Sequence, residues 1–475
     1  MANKFYITTA IPYVNAAPHV GHALEFVQAD TIARIHRLLG EDTRLLSGGD
    51  ENALKNVQAA EKAGVPLQEF IDKNSKLFEN LAKKLHVQFD IFQKGSDKKQ
   101  HYPASQKLWK LCEHDIYKKS YEGLYCVGCE QYYTKDELNE QGECFEHPGK
   151  KLELVKEENY FFKLSLYQQQ IIDLITTDAV KIVPETKKNE MLAFLKQPLL
   201  DISISRSNER AKNWGVPVPD DDTQRMYVWF DALNIYQSGV GFGWDDASYK
   251  KWWPADVHVI GKGITRFHAI YWPAFLLSAD LPLPKTILVH GYFTVDGQKM
   301  SKTVGNIVDP ITLIEKYGAE SLRYYFLREL PTFADGDFSE RRFKELYNSD
   351  LANGLGNLTS RVAKLSGSIT YDKQHVSYKI VFTGEYKKAI DEFRLHDAVN
   401  FIWEKIKITD KLINDKEPWR LTEIERTPVI KEAVSQIIII ATMLAPFLPE
   451  TSEKILKQFQ ESTITSEPPM FPRII

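Results

Sequence analysis

The chain has 475 residues and a mass of 54.7 kDa, and 43% of its residues are hydrophobic and 26% charged. This balance is typical of a soluble globular protein and excludes a fibrous, collagen-like or largely disordered chain, and the length predicts about three domains. The formal net charge of −4 excludes a histone-like binder of nucleic acid but does not exclude a local basic face.

The first part of the chain alternates predicted strands and helices. β-branched and aromatic residues predict a buried strand over residues 5–14, and apolar residues at loose helical spacing predict a helix over 21–39. The next elements are a strand and two helices, over 43–47, 52–64 and 67–85. Strands that alternate with helices are typical of a doubly wound parallel sheet.

The alternation stops near residue 120 and resumes near residue 256. Residues 121–150 are rich in Gly, Cys and Glu and have no clean period. A strand over 257–260, an aromatic-rich helix over 264–277 and a strand over 285–293 then follow. The stretch 120–225 is therefore predicted to be an insertion between two halves of one α/β domain.

After Asp309 the pattern is almost wholly helical. The longest uncharged apolar run, Val434 to Leu448, is interrupted by Pro446 and is shorter than the roughly 18 residues that a membrane span needs, so it predicts a buried helix and no membrane partner. The N-terminus lacks the basic region of a signal peptide. Four cysteines are too few for a disulfide-built secreted protein, and a cytoplasmic location is expected.

Two polar segments each follow a predicted strand. His19-Val20-Gly21-His22 begins a helix, where free N–H groups and a partial positive charge favour phosphate binding and histidines can donate hydrogen bonds. When the segment is taken alone, a helix start with two surface histidines fits the pattern equally well. Lys299-Met300-Ser301-Lys302-Thr303 could close over a triphosphate, although by itself a solvated basic turn is the better interpretation.

Together the two segments resemble the paired signatures of class I aminoacyl-tRNA synthetases, with Val and Thr as mild departures at positions 20 and 303. Further segments resemble the methionyl-tRNA synthetases, and the likeness extends over nearly the whole chain; these segments are 10–13, 227–236 and 260–272. The resemblance implies a ligase that activates methionine with ATP and Mg²⁺ and charges initiator and elongator tRNA(Met). It also implies a Rossmann-like doubly wound parallel sheet, a zinc-binding insertion and a C-terminal all-α helical bundle.

The resemblance assigns residues to each substrate. The implied catalytic residues are His19, His22, Lys299 and Lys302. The implied ATP site adds Gly21, Glu25, Gly261 and Phe293. The implied methionine pocket consists of Ile11, Tyr13, Trp229, Ala232, Tyr236, Ile264, His268 and Trp272, with Asp50 holding the α-ammonium group. A thioether packs well on aromatic rings, whereas without the resemblance His268 and Trp272 fit core residues better.

Two departures from the family pattern affect this site. Gly263 stands where the family often has an acidic residue that helps to hold the ATP ribose, so that contact is absent or supplied elsewhere. The family's Asp-Glu-His-Gly stretch is Asp50-Glu51-Asn52-Ala53 here. Asn52 therefore stands where the family has a histidine, while Asp50 is retained.

Three of the four cysteines belong to a predicted metal site. Cys126-Val127-Gly128-Cys129 and Cys144-Phe145-Glu146-His147 provide three thiolates and one imidazole in two x₂ pairs, the ligand set of a closed tetrahedral zinc site. All four positions are filled by protein, so one structural zinc per chain is predicted. Cys112 is expected to be a buried small hydrophobic residue.

The resemblance also implies anticodon-reading residues in the helical part. These are Asn357, Arg361 and Trp419. A tryptophan offers a stacking face for a splayed base, and Asn and Arg can read base edges. On sequence alone, a core aromatic after Pro418 is at least as good an interpretation of Trp419.

The predicted domains follow from these patterns. They are the first half of the catalytic domain (1–119), the zinc-binding insertion (120–225), the second half (226–309), a linking helical segment (310–345) and the anticodon-binding domain (346–475). A monomer is expected because no appended module follows the helical domain. One alternative is a synthetase for another amino acid. The short insertion counts against isoleucine, valine and leucine, and the position of the zinc ligands within the insertion counts against cysteine. A second alternative is a non-catalytic RNA-binding relative, and the intact signature segments count against it.

Overall fold

A computed structural model gives the structure of the chain. It describes residues 3–128, 131–133, 137–144, 149–299, 306–367, 369–371 and 384–474. The chain divides into two compact units. The first unit comprises Met1–Pro18, Glu41–Ala82 and Gln88–His290, and the second comprises His19–Gly40, Lys83–Val87 and Gly291–Ile475.

The described strands, in chain order, are β1 (Lys4–Thr8), β2 (Asp42–Gly49), β3 (Ile91–Lys94), β4 (Ile116–Cys126), β5 (Gln131–Tyr133), β6 (Glu153–Phe162), β7 (Lys181–Val183), β8 (Ile202–Ser203), β9 (Ser205–Ser207), β10 (Pro217–Val218), β11 (Asp221–Met226), β12 (Val257–Gly261), β13 (Thr286–His290), β14 (Phe293–Val295), β15 (Gln298–Lys299) and β16 (Gly336–Phe338).

The described α-helices are α1 (Val20–Leu38), α2 (Leu54–Ala63), α3 (Leu67–Lys84), α4 (His101–Leu111), α5 (Gln168–Thr176), α6 (Glu185–Phe194), α7 (Asn208–Ala211), α8 (Val228–Leu233), α9 (Ile235–Ser238), α10 (Asp246–Trp252), α11 (Trp272–Ser278), α12 (Pro310–Tyr317), α13 (Ala319–Arg328), α14 (Glu340–Leu346), α15 (Asn357–Ser366), α16 (Gly384–Asp391), α17 (Leu395–Lys416), α18 (Glu423–Leu444) and α19 (Pro449–Phe459). Short 3₁₀ segments are Glu113–Asp115, Leu164–Tyr167, Lys262–Ile264 and Pro418–Arg420, and π-helical segments are Phe267–Tyr271 and Tyr347–Gly356.

The first unit is built around a six-stranded parallel sheet. Its strand order is β3-β2-β1-β12-β13-β7, and every neighbouring pair is parallel. The order reverses between β1 and β12, and in open α/β sheets the ligand crevice lies outside the carboxyl ends of the strands at such a point. The predicted doubly wound parallel sheet is confirmed, and residues 181–183 of the predicted insertion supply its edge strand.

Two predicted strands differ from the observed elements. The strand predicted over 5–14 ends at Thr8, and the stretch beyond it makes only an isolated bridge from Tyr13 to Asp50. The strand predicted over 285–293 is two strands, β13 and β14, that belong to different sheets. Between them, a Cβ atom at Gly291 would lie 2.0 Å from the carbonyl oxygen of Ala334, so the chain packs there in a way that only glycine allows.

The second unit contains α1, a three-stranded sheet of order β15-β14-β16 and the C-terminal helices. Helix α18 packs on α15, α17 and α19. Among the helices that the structure describes, it is the one whose length and hydropathy would permit a membrane crossing. Its residues Ile437, Ile440 and Leu444 are fully buried in this unit, which agrees with the predicted core helix.

Candidate active site

Two residues of the predicted methionine-pocket wall form a buried polar pair in the first unit. The hydroxyl of Tyr236 lies 2.7 Å from Nε2 of His268, and Nδ1 of His268 lies 2.9 Å from the carbonyl oxygen of Ile264. A carbonyl only accepts, so Nδ1 carries the proton and Nε2 accepts from the tyrosine. Burial lowers the pKa of His268 to about 4, which makes this wall polar but uncharged at neutral pH.

Aromatic rings form the rest of this region. Trp272 is fully buried and meets Tyr236 edge to face, with 6.5 Å between ring centroids. Tyr13 meets Trp229 in the same way at 6.3 Å. Trp229 stacks on Phe267 with centroids 3.6 Å apart. Phe267 is not among the predicted pocket residues, although it directly precedes His268. Its stacking holds the plane of the Trp229 ring.

The remaining predicted pocket residues lie at the edge of the same core. Ile11, Tyr13 and Ile264 are half-buried and pack against it, and Ala232 is buried. Asp50 is buried after β2, where its N–H donates to the carbonyl of Pro12 and its own carbonyl accepts from Asn56. The backbone of Asp50 forms an isolated bridge with Tyr13, and a carboxylate at the carboxyl end of a strand is suited to pair with an ammonium group.

Lys55 connects Tyr13 to the cysteine-bearing loop. Its Nζ atom lies 3.0 Å from the centroid of the Tyr13 ring and donates to the carbonyl of Gly128 over 3.1 Å. Gly128 lies in the Cys126-Val127-Gly128-Cys129 segment. The loop that carries predicted zinc ligands is therefore attached to the pocket through one cation.

In the second unit, the start of α1 differs from the expectation of free N–H groups. The first four N–H groups of this helix are all bonded within the chain. The N–H of Val20 donates to the carbonyl of Val308, and the N–H of Gly21 donates to Nδ1 of His19. The N–H groups of His22 and Ala23 both donate to the carbonyl of His19. The expectation of free N–H donors for a phosphate is wrong, because the His19 side chain and nearby carbonyls already occupy them.

The two imidazoles at this helix start contact each other and the backbone. Nδ1 of His22 accepts from the N–H of His19 over 3.1 Å, and the rings lie 4.0 Å apart, centroid to centroid. Burial and the neighbouring His19 lower the pKa of His22 well below its ordinary value, so the ring is neutral at pH 7. Because Nδ1 of each ring accepts a backbone N–H, the ring proton lies on Nε2, where it can donate to an anionic oxygen.

The lysine-bearing segment begins on a β-hairpin. Strands β14 and β15 pair through a two-residue turn, Asp296-Gly297, in which both residues have positive φ. Such Asp-Gly turns are a strong hairpin signal. The backbone of Lys299 pairs with Thr294 in β15; the side chain of Lys299 and all of Lys302 lie outside the described residues.

Three other predicted ATP-site residues have distinct settings. Phe293 packs its ring against Phe326 and Phe338, so its side chain belongs to the core of the small sheet. Glu25 is buried on α1, one turn after His22. Gly261 ends β12, and Gly263 lies in the 3₁₀ turn that follows.

Two of the four predicted zinc ligands are described. The Sγ atoms of Cys126 and Cys144 are buried and lie 3.3 Å apart. This distance is longer than the ~2.05 Å of a disulfide bond, but it is short enough for both sulfur atoms to bind one metal ion. Cys129 and His147 lie outside the described residues. Within the residues that are described, no group of three or more His, Cys, Asp or Glu could hold a metal ion.

The structure brings two of the predicted anticodon residues together in the helical part of the second unit. The guanidinium carbon of Arg361 lies 5.6 Å from the centroid of the Trp419 ring, and the guanidinium donates to Asp410 and Asn414. Asn357 is exposed on α15, one turn before Arg361. Trp419 is 50% exposed, so its interpretation as a core aromatic is wrong.

Comparison with known proteins extends these observations. The family model described as tRNA synthetases class I (M) matches residues 5–363. A methionine–tRNA ligase of Thermotoga maritima is 40% identical, with 96% of this chain and 75% of that protein aligned. One of Brucella suis is 39% identical over 95% of this chain and 91% of that protein.

A solved structure is also similar over its full length. Mycobacterium tuberculosis methionyl-tRNA synthetase in complex with methionyl-adenylate superposes with a TM-score of 0.91 at 35% identity. The superposition covers 99% of this chain and 100% of that one.

Proposed function

The chain belongs to the methionine–tRNA ligase family of class I tRNA synthetases, and from that premise we propose how its own residues perform the reaction. The enzyme activates methionine with ATP and transfers it to tRNA. The carboxylate of methionine attacks the α-phosphate and pyrophosphate leaves, which gives methionyl-adenylate. A hydroxyl of the terminal adenosine of tRNA then attacks the carbonyl carbon and AMP leaves.

The aromatic pocket of the first unit binds methionine. The observation that carries this assignment is the buried, uncharged pair of Tyr236 and His268 within a region of aromatic rings. An uncharged wall disfavours a charged side chain, because no opposite charge would offset its desolvation, while a thioether packs on aromatic rings. The carboxylate of Asp50 pairs with the α-ammonium group and so selects an amino acid.

The nucleotide is bound by the two signature segments of the second unit. The Nε2–H groups of His19 and His22 donate to phosphate oxygens, and Lys299 and Lys302 neutralise the charge that develops as pyrophosphate leaves. Gly21, Glu25 and the backbone of Phe293 complete the part of the ATP site that this unit carries, and Mg²⁺ would accompany the phosphates of ATP. Little acid–base chemistry is needed, so positioning and charge stabilisation account for the rate.

The tRNA is recognised through the helical part of the second unit. Trp419 offers an exposed ring, and the guanidinium of Arg361 is held beside it by Asp410 and Asn414. A splayed base can stack on the indole while Arg361 and Asn357 reach its edge. We assign residues 346–475 to anticodon binding and residues 1–119 and 226–309 to catalysis.

The cysteine-bearing insertion holds one structural zinc. Cys126 and Cys144 already converge as thiols, and Cys129 and His147 complete a four-ligand set. The thiols, at a distance too long for a disulfide, suit a reducing compartment, and we place the enzyme in the cytoplasm.

Amino-acid-dependent exchange of pyrophosphate into ATP tests the substrate assignment. Methionine should support exchange, while isoleucine, valine, leucine and cysteine should support it at least about 100-fold less well at equal concentration. A Trp229→Ala variant should raise the KM for methionine and leave the KM for ATP nearly unchanged. Leu81→Ala, which removes buried side-chain volume from α3, is the control for general loss of stability. Equal changes in both KM values in Trp229→Ala would contradict the pocket assignment.

A further inference from the structure

A fully buried histidine lies at the start of α4 and takes no part in the chemistry above. Nε2 of His101 lies 2.6 Å from Oδ1 of Asp231, and its Nδ1 lies 2.8 Å from Oγ of Ser238. All three side chains are buried. Because a carboxylate oxygen only accepts, His101 donates from Nε2 to Asp231.

The carboxylate of Asp231 has further partners. Nδ2 of Asn52 donates to Oδ2 over 2.6 Å and also to the carbonyl of Gly95 over 2.7 Å. The hydroxyl of Ser105 donates to Oδ1 over 3.2 Å. This buried network therefore binds both carboxylate oxygens, and its geometry is strongly determined because each polar group without a partner would carry a desolvation cost.

The network joins three segments that carry proposed methionine-binding residues. Asp231 lies in α8, the helix that also carries Trp229 and Ala232. Ser238 lies in α9, which also carries Tyr236. Asn52 lies two residues after Asp50. His101 contacts the first two segments directly and the third through Asp231. Helices α8 and α9 have only six and four residues, and helices this short are not stable by themselves, so tertiary contacts decide where they lie.

We propose that His101 is a positioning residue for the methionine pocket. It fixes α8 and α9 relative to the Asp50 segment, and through them the rings of Trp229 and Tyr236. This inference rests on the proposed methionine pocket. It also accounts for Asn52, which occupies the position of the family's histidine and here donates to Asp231.

The test compares the KM for methionine with the KM for ATP in pyrophosphate exchange by the full chain. His101→Phe keeps a ring but removes both hydrogen bonds, and it should raise the KM for methionine about tenfold with the KM for ATP within about twofold. His101→Gln should recover most of the affinity, since its amide can donate to Asp231 and its carbonyl can accept from Ser238. A purely structural role would not produce a change specific to one substrate.

Two further variants keep the test decisive. Ser238→Ala removes the partner of Nδ1 together with a longer hydrogen bond of 3.3 Å to the carbonyl of Ile235. It should raise the KM for methionine about threefold, so it carries the test if His101→Phe does not fold. Leu81→Ala measures the effect of lost stability alone and should leave the ratio of the two KM values unchanged. If neither His101→Phe nor Ser238→Ala changes the KM for methionine while Trp229→Ala does, the positioning role is wrong and the pocket assignment stands. If Trp229→Ala also has no effect, both are wrong.

Discussion

The guanidinium of Arg323 donates from Nη1 to Oδ2 of Asp30 over 2.8 Å, and both side chains are fully buried in the second unit. The same guanidinium donates to the carbonyl oxygens of Phe447 and Leu85. Asp30 lies on α1, the helix that begins after His19, and Arg323 lies on α13. One buried ion pair therefore ties α1, the helix that begins after His19, to α13.

Removing one partner of this pair should cost much stability. Arg323→Met removes one cationic partner of the buried Asp30 carboxylate, to which Arg34 also donates, and the free energy of unfolding should fall by about 3 kcal/mol. Arg341→Met breaks an exposed ion pair with Glu345 and should cost about 0.5 kcal/mol or less. Urea unfolding of both variants measures the difference; equal losses would contradict the role assigned to the buried pair.

The stability of the enzyme should depend on pH through His268. Burial lowers the pKa of this side chain to about 4 in the folded state, against about 6.5 when unfolded. Between these values the unfolded chain binds more protons, so the free energy of unfolding should rise from pH 4 to pH 6.5, by up to about 3 kcal/mol for this residue.

A variant isolates the contribution of that residue. His268→Gln cannot be protonated, and urea unfolding at several pH values should show a shallower slope below pH 6.5 and none of the His268 contribution. A weaker slope should persist, because the pKa values of His22 and His258 are also lowered by burial. An unchanged slope in His268→Gln would mean that this imidazole is not desolvated.

The cysteine-bearing insertion should contain one zinc ion per chain. Cys126→Ser should lose the metal and destabilise the insertion, because a structural zinc contributes directly to folding. Cys112→Ala is the matched control, because this cysteine is buried outside the insertion. Burial raises the pKa of its thiol to about 12, and its replacement should leave the zinc content unchanged. Metal analysis of protein purified without chelator decides the question, and a zinc-free wild-type chain would rule the site out.

The loop lysines should act in the transition state of activation. Lys299→Ala or Lys302→Ala should lower the single-turnover rate of adenylate formation about 100-fold or more, since a positive charge near the leaving pyrophosphate is lost. Methionine affinity should change little. Lys457→Ala, an exposed lysine on α19, should keep the wild-type rate. A rate within a few-fold of wild type in both loop variants would refute the assignment.

Trp419 should affect tRNA charging but not methionine activation. Stacking of a base on an aromatic ring contributes roughly 1–3 kcal/mol, so Trp419→Ala should lower aminoacylation about 10- to 100-fold, mainly through tRNA binding. Trp419→Tyr should recover part of it. Since the ring is 50% exposed, the melting temperature should change little, and pyrophosphate exchange should stay near wild type. A parallel loss of both activities would contradict anticodon stacking.

Much of the fold follows from local sequence. Helical spacing predicted residues 21–39 as a helix, and α1 spans Val20–Leu38; β-branched residues predicted 257–260 as a strand, and β12 spans Val257–Gly261. These elements are determined by periodicity, which the sequence carries directly. The strand predicted over 5–14 was too long. Apolar residues continue after Thr8, but the backbone leaves the sheet at that residue.

The site residues also divide into those that the sequence reveals and those that only the tertiary structure reveals. His19, His22 and the cysteine pairs are recognisable because their chemistry depends on spacing along the chain. The network of His101, Asp231 and Asn52 is not, because its members lie far apart in sequence and each looks like an ordinary polar residue. Only the tertiary structure excludes water around them and so makes their hydrogen bonds obligatory.

The sequence by itself determined the order of strands and helices, the signature segments and the predicted zinc ligands. Tertiary structure decided that Trp419 is exposed, that the first N–H groups of α1 are already bonded, and that His268 is held neutral. The physical reason is that burial and hydrogen-bond partners depend on groups brought together from distant parts of the chain, and no local pattern encodes them.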